Sequence, residues 1–173
     1  RRADKIDYQA IQDGDSVTVQ ARRNAVTTGR SPGADVEVTV PSSTMVDLET
    51  SNGGVEVRGL QDAGSLRTSN GAIVVADAGG DLRADTSNGR IEVTAFAGSV
   101  GLKTSNGAIV FVGELTPGGS NGMRTSNGSV EVTLQGTPSV RIDGTTSNGS
   151  VTSKLPVLAT STGDNHLVGT IGD

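Results

Sequence analysis

The tetrapeptide Thr-Ser-Asn-Gly occurs six times, beginning at Thr50, Thr68, Thr86, Thr104, Thr125 and Thr146. The intervals are 18, 18, 18, 21 and 21 residues. A fixed period near this length means a stack of equivalent units, because one unit cannot bury its apolar face alone. After each tetrapeptide and one variable residue comes an apolar run, as in Val55-Glu56-Val57, Ile73-Val74-Val75 and Ile91-Glu92-Val93. A second alternation ends two residues before the tetrapeptide, at Leu48, Leu66, Ala84, Leu102 and Met123. Each unit therefore holds two short strands and two turns, with no room for a helix. Identical turns at a constant interval favour a coil over a meander. The expected fold is all-β: a single-chain parallel β-solenoid, or β-helix, with rungs of 18–21 residues stacked about 4.8 Å apart. The crossover preference of parallel strands predicts a right-handed coil.

Asn and Gly tolerate positive φ, which places the Asn-Gly pair at a corner. The side chains of Asn52, Asn70, Asn88, Asn106, Asn127 and Asn148 would then stack as an amide ladder. The ladder reads either as architecture alone or as a column that binds a ligand or ice. The Thr of each repeat shares parity with Leu48, Leu66 and Leu102, so it is expected to point inward.

Two outward columns follow from the same spacing. One reads Glu49, Arg67, Asp85, Lys103, Arg124, Thr145, with acid and base alternating over four rungs. Opposite charges on neighbouring parallel strands attract. The other reads Glu56, Val74, Glu92, Val110, Glu131, Thr152. It is either an ordinary sheet face that spaces its carboxylates apart, or a Val-striped contact surface that includes Val74, Val110 and Val112. The two longer rungs carry insertions at Thr116-Pro117 and Thr137-Pro138. They read as a stacked contact ledge or as relief of a local bend.

The ends differ from the middle. Residues 5–10 and 16–22 read as strands around Asp13-Gly14, a hairpin signal. Residues 34–40 alternate Val36, Val38 and Val40 before Pro41, and also read as a strand. Residues 1–44 are expected to cap the first rung, residues 45–155 to form the solenoid, and residues 156–173 to hold an irregular segment, with a loop at Ser161–Asn165, and a final strand. A C-terminal counterpart of the cap is not legible, so a flat terminal edge is expected, which predicts self-association end to end or through the Val face; the competing outcome is a monomer whose residues Leu167 to Ile171 fold back over that edge.

Composition narrows the function. Lys plus Arg is 14 and Asp plus Glu is 19, a net charge of −5. That balance, without a basic run, argues against a nucleic-acid partner. Val, Leu, Ile and Phe total 40 of 173 residues, enough for a thin core. No apolar run reaches the ~18 residues of a membrane-spanning helix. The absence of Cys excludes disulfides and thiolate metal sites. His166 is the sole histidine and reads as a surface residue without a nucleophile to serve. The aromatic set is Tyr8, Phe96 and Phe111, with Phe96 placed at a corner. No catalytic, cofactor or metal residues are expected. The first residue is Arg1, which suggests a trimmed or partial chain with any export signal outside it.

The repeated Thr-Ser-Asn-Gly with its apolar-x-apolar continuation, the run Gly80-Asp81-Leu82-Arg83-Ala84-Asp85 and the lead-in Val36-Glu37-Val38-Thr39-Val40-Pro41 resemble a bacterial adhesin-like family without a defined function. The resemblance covers the chain from about Val17 onward. It implies a β-solenoid of the bacterial exterior or envelope, with no site residue to carry over. The resulting expectation is a non-catalytic structural or adhesin-like module whose partner is itself or a cell-surface glycan. The alternative is a glycan- or small-ligand-binding module that uses the Thr-Pro ledge.

Overall fold

The computed structural model describes residues 6–23, 35–119, 121–136, 139–153 and 158–171. The chain divides into two compact units, residues 1–40 and 41–173.

The first unit contains β1 (Ile6–Asp13) and β2 (Ser16–Arg23), an antiparallel hairpin in unbroken register from Ile6 opposite Arg23 to Asp13 opposite Ser16. Gly14 makes the turn with a φ of 57°, a conformation glycine adopts without strain. Residues 35–40, expected as a strand, are not one. Val36 and Val38 stay about half exposed, at 50% and 52%. Alternation makes a strand only where a neighbour takes the backbone hydrogen bonds, and no described strand pairs with these residues.

The second unit is the β-solenoid. One side stacks β3 (Asp47–Asn52), β5 (Gly64–Asn70), the ends of β6 (Ile73–Asn88) and β7 (Ile91–Asn106), β9 (Asn121–Asn127) and β11 (Val140–Asn148). The other side stacks β4 (Val55–Arg58), the beginnings of β6 and β7, β8 (Ile109–Leu115), β10 (Val130–Leu134) and β12 (Val151–Ser153). The stacked strands are parallel and in register. Thr50, Thr68, Thr86, Thr104, Thr125 and Thr146 form one column. Val55, Ile73, Ile91, Ile109, Val130 and Val151 form another.

Two strands per rung is too simple for the middle of the stack. β6 and β7 each run 16 residues through the corner opposite Asn-Gly. Asp77 and Ala95 turn the chain there with φ of 53° and 49°, and pairing resumes at the next residue. That conformation costs a non-glycine residue on the order of 1 kcal/mol, so the stack must hold both residues in it.

The core is a set of inward columns. Leu66, Ile73, Val75, Ile91, Val93, Ile109 and Phe111 are fully buried. Phe96 belongs to this core and not to a corner: it is 2% exposed and meets Phe111 edge to face, with centroids 6.2 Å apart. The pairing shift after Thr94 gives the reason. Ala95 takes the turn and is left without a partner on β8, and Phe96 pairs with Gly113, whose missing side chain lets the Phe96 backbone approach: a Cβ there would stand 2.3 Å from the Phe96 carbonyl oxygen.

The C-terminal end holds the expected final strand but departs from the expected loop before it. Ser161–Gly163 are strand, not loop. β13 (Leu158–Gly163) and β14 (His166–Ile171) form an antiparallel hairpin around Asp164-Asn165. β14 pairs antiparallel with β11, from Val140 opposite Ile171 to Thr145 opposite His166. The edge expected at the last rung is thus covered along β11, while β12 ends the sheet order with β10 as its neighbour. The outer strand, β13, carries an irregularity between Ala159 and Ser161, a device that blunts an edge against further pairing.

Candidate functional site

The Asn-Gly corner is the most regular feature of the molecule. Each Asn Nδ2 donates to the Asn Oδ1 of the preceding rung: Asn70 to Asn52 at 2.9 Å, Asn88 to Asn70 at 2.8 Å, Asn106 to Asn88 at 2.8 Å, Asn127 to Asn106 at 2.9 Å and Asn148 to Asn127 at 2.7 Å. Behind it, each inward Thr hydroxyl donates to the Gly carbonyl of the rung before. Thr68, Thr86, Thr104, Thr125 and Thr146 reach Gly53, Gly71, Gly89, Gly107 and Gly128 at 2.8 to 3.1 Å. The corner glycine N–H donates to the Asn carbonyl of the rung after it. Five junctions repeat the same three bonds.

The reason for glycine here is not the one the sequence suggests. None of the six Asn residues has a positive φ, and neither do Gly71, Gly89 or Gly107, although Gly53, Gly128 and Gly149 do, at 154° to 156°. A Cβ on Gly71, Gly89, Gly107, Gly128 or Gly149 would instead stand 1.8 to 2.1 Å from the carbonyl oxygen of the glycine one rung back. Close approach of stacked backbones, more than left-handed geometry, excludes a side chain.

On the side of β4 and β10, Val74, Val110 and Val112 are half-buried. The charged rungs beside them close ion pairs along their own strands, Arg58 to Glu56 at 2.6 Å and Arg90 to Glu92 at 3.3 Å. On the opposite side the alternating column is in register, but its ion pairs lie elsewhere. Arg83 pairs with Asp85 along the strand at 3.0 Å, and Arg124 Nη2 reaches Asp143 of the next rung at 2.9 Å. Burial pushes the Asp143 carboxyl up. Hydrogen bonds from Arg124 and Thr145, with the charges of Arg124 and Arg141, outweigh it and hold the group below the usual carboxylate range.

Thr116 and Pro117 are exposed on a turn, while Thr137 and Pro138 lie outside the described residues. The first insertion is stitched to the stack by Asn121, which is 6% exposed. Its Oδ1 accepts the Val100 N–H at 3.0 Å and its Nδ2 donates to the Gly119 carbonyl at 3.3 Å. The side chain thus replaces a ladder bond that the insertion interrupts. This explains why Asn stands in a core column.

A groove of about 580 Å³ runs past Met45, Asp47, Asp62, Asp81, Arg83 and Ser99. Among the described residues no group of three His, Cys, Asp or Glu side chains converges to hold a metal ion. Every buried side-chain polar atom described has a hydrogen-bond partner.

One constellation is not anticipated by the repeat or by the lone histidine. His166 is half-buried, and its Nε2 lies 2.7 Å from Ser161 Oγ. A signal for it exists in the residues: Ser161 and His166 flank Thr162-Gly163-Asp164-Asn165, and a tight hairpin there sets them diagonally across two strands. No protein-family profile, curated protein or solved structure matches the chain.

Proposed function

We propose that this chain is a non-catalytic structural β-solenoid of the bacterial exterior or envelope, adhesin-like in presenting rigid polar faces to its surroundings. The observation that carries this reading is the uninterrupted corner: six rungs joined by five identical junctions. A stack of this kind uses its polar groups to hold itself together and keeps a constant geometry along its length. The outward charges support the same reading, since they are spread over both sides and eight of them form four local ion pairs. Self-association would be end to end or through the Val74 and Val110 face, with β14 already seated on the β11 edge.

The test has two arms. Incubation with a panel of polysaccharides should release no product, and display of the chain on a non-adherent bacterium should increase its retention on glycan-coated or cell-coated surfaces. Turnover abolished by single carboxylate substitutions would overturn the non-catalytic reading, and unchanged retention would overturn the adhesin-like one. A glycan-array signal lost on deletion of both Thr-Pro insertions would favour the ligand-binding alternative.

A further inference from the structure

The turn between β13 and β14 assembles three side chains that the corner ladder does not use. Ser161 Oγ lies 2.7 Å from His166 Nε2, and His166 Nδ1 lies 3.3 Å from Asn165 Oδ1. With the imidazole proton on Nδ1, directed at the Asn165 oxygen, Nε2 is the acceptor for the Ser161 hydroxyl proton. Nucleophile, base and orienting group then stand in the order that activates a serine.

The hairpin register explains how the three meet. Gly163 faces His166 and Ser161 faces Val168, so Ser161 and His166 share a side and sit on a diagonal, within reach of a long side chain. Gly163 clears the path. A Cβ there would stand 2.9 Å from His166 Cε1 and 3.0 Å from Nδ1. The turn is also tied down. His166 pairs with Thr145, the Asn165 carbonyl accepts the Thr146 N–H at 2.8 Å, and the Asp164 carbonyl accepts the Val151 N–H at 3.1 Å. The last rung of the solenoid thereby fixes the backbone of the turn that carries the imidazole, while Ser161 remains exposed. A reactive group held on strands keeps its geometry better than one on a free loop.

We propose that Ser161 is an activated acyl acceptor that takes an acyl group from small activated esters, with His166 as general base and Asn165 as a positioning residue. Ser161 Oγ attacks the ester carbonyl carbon and forms the new C–O bond. The serine proton passes to His166 Nε2. The bond to the leaving oxygen breaks, and that oxygen takes the proton from Nε2. The products are an O-acyl serine and a free alcohol or phenol. The hydroxyl opens to solvent, so acyl donors are selected by reactivity. The event is a single modification of the chain and is independent of the structural role proposed above.

The full chain treated with p-nitrophenyl acetate, followed by intact-mass measurement and peptide mapping, tests this. One acetyl group should appear on Ser161, about 100-fold faster than on other serines, the lower range of general-base assistance. Ser161→Ala should remove the adduct, and His166→Gln should slow it by about the same 100-fold. Asn165→Ala should slow labelling several-fold, and Asn165→Asp should restore it. Gly163→Ala, which displaces the ring with all three side chains retained, should also slow labelling. Circular dichroism should be the same for every variant. Acetylation spread evenly over lysines and serines, Ser161 labelling unaffected by His166→Gln or Gly163→Ala, or nitrophenol release without a Ser161 adduct would each overturn the proposal.

Discussion

Glycine serves two different purposes in this chain, and substitutions separate them. A Cβ on Gly89 would stand 1.8 Å from the Gly71 carbonyl oxygen, a backbone atom that cannot move without opening the rung. Gly89→Ala should therefore cost more than about 3 kcal/mol, in the range reserved for enforced backbone strain. A Cβ on Gly101 would meet nothing within 4 Å, and the residue faces outward on β7. Gly101→Ala should be neutral or stabilise by about 0.5–1 kcal/mol, since Gly in a strand carries an entropic penalty. Urea denaturation of the two variants side by side reads the contrast. The inward Thr hydroxyls offer a second comparison. Thr104 is 2% exposed and donates to the Gly89 carbonyl at 3.0 Å. Thr104→Val keeps the shape and strands that carbonyl, so it should cost about 1–3 kcal/mol in the same measurement.

Between neighbouring strands, the Arg124–Asp143 pair joins β9 to β11 across two rungs. The Asp143 carboxyl is held below its usual range in the folded chain, while the unfolded value is about 3.9. Its stabilisation is complete above the unfolded value and is lost as pH falls through the folded one. Asp143→Asn should accordingly flatten the acid side of the stability curve below about pH 4. The whole effect should not exceed about 1 kcal/mol, because the pair is partly solvated. Thermal melts at pH 7 and pH 3 for both proteins check the sign. The C-terminal hairpin does different work. β14 occupies the hydrogen-bonding edge of β11. Deleting residues 154–173 should bare that edge and produce concentration-dependent association, read by light scattering, where the full chain shows less.

Along the stack the backbone repeats with every rung, but over the first four rungs the outer columns repeat with every second one. Asp85 alternates with Lys103, and Val74 with Glu92. A duplicated single rung, residues 71–88, would set Asp85 beside its own copy. A duplicated pair, residues 71–106, preserves both alternations. Both insertions should fold, since the stability of such stacks is close to a sum over rungs and their interfaces. The paired duplication should melt at the higher temperature, and circular dichroism melts of the two lengthened proteins decide it.

Much of this was legible in the residues themselves. A tetrapeptide recurring every 18 or 21 residues has one way to stack in register, so the column of six Asn and the column of six Thr followed from spacing alone. Inward and outward parity was legible for the same reason, because side chains alternate along a strand. Other features depended on distances that no local pattern encodes. Whether Asn-Gly turns by left-handed φ or by close packing is set by how near the next rung's carbonyl comes. Phe96 entered the core through a one-residue shift in pairing after Thr94, and residues 35–40 failed as a strand for want of a neighbour. The C-terminal hairpin needed the antiparallel seat on β11 to fix its register, and that register alone brought Ser161 to His166. Sequence determined the repeating stack, because its periodicity is local and recurs. Tertiary structure decided the C-terminal end and the meeting of Ser161 with His166, because each depends on a single non-repeating contact between segments.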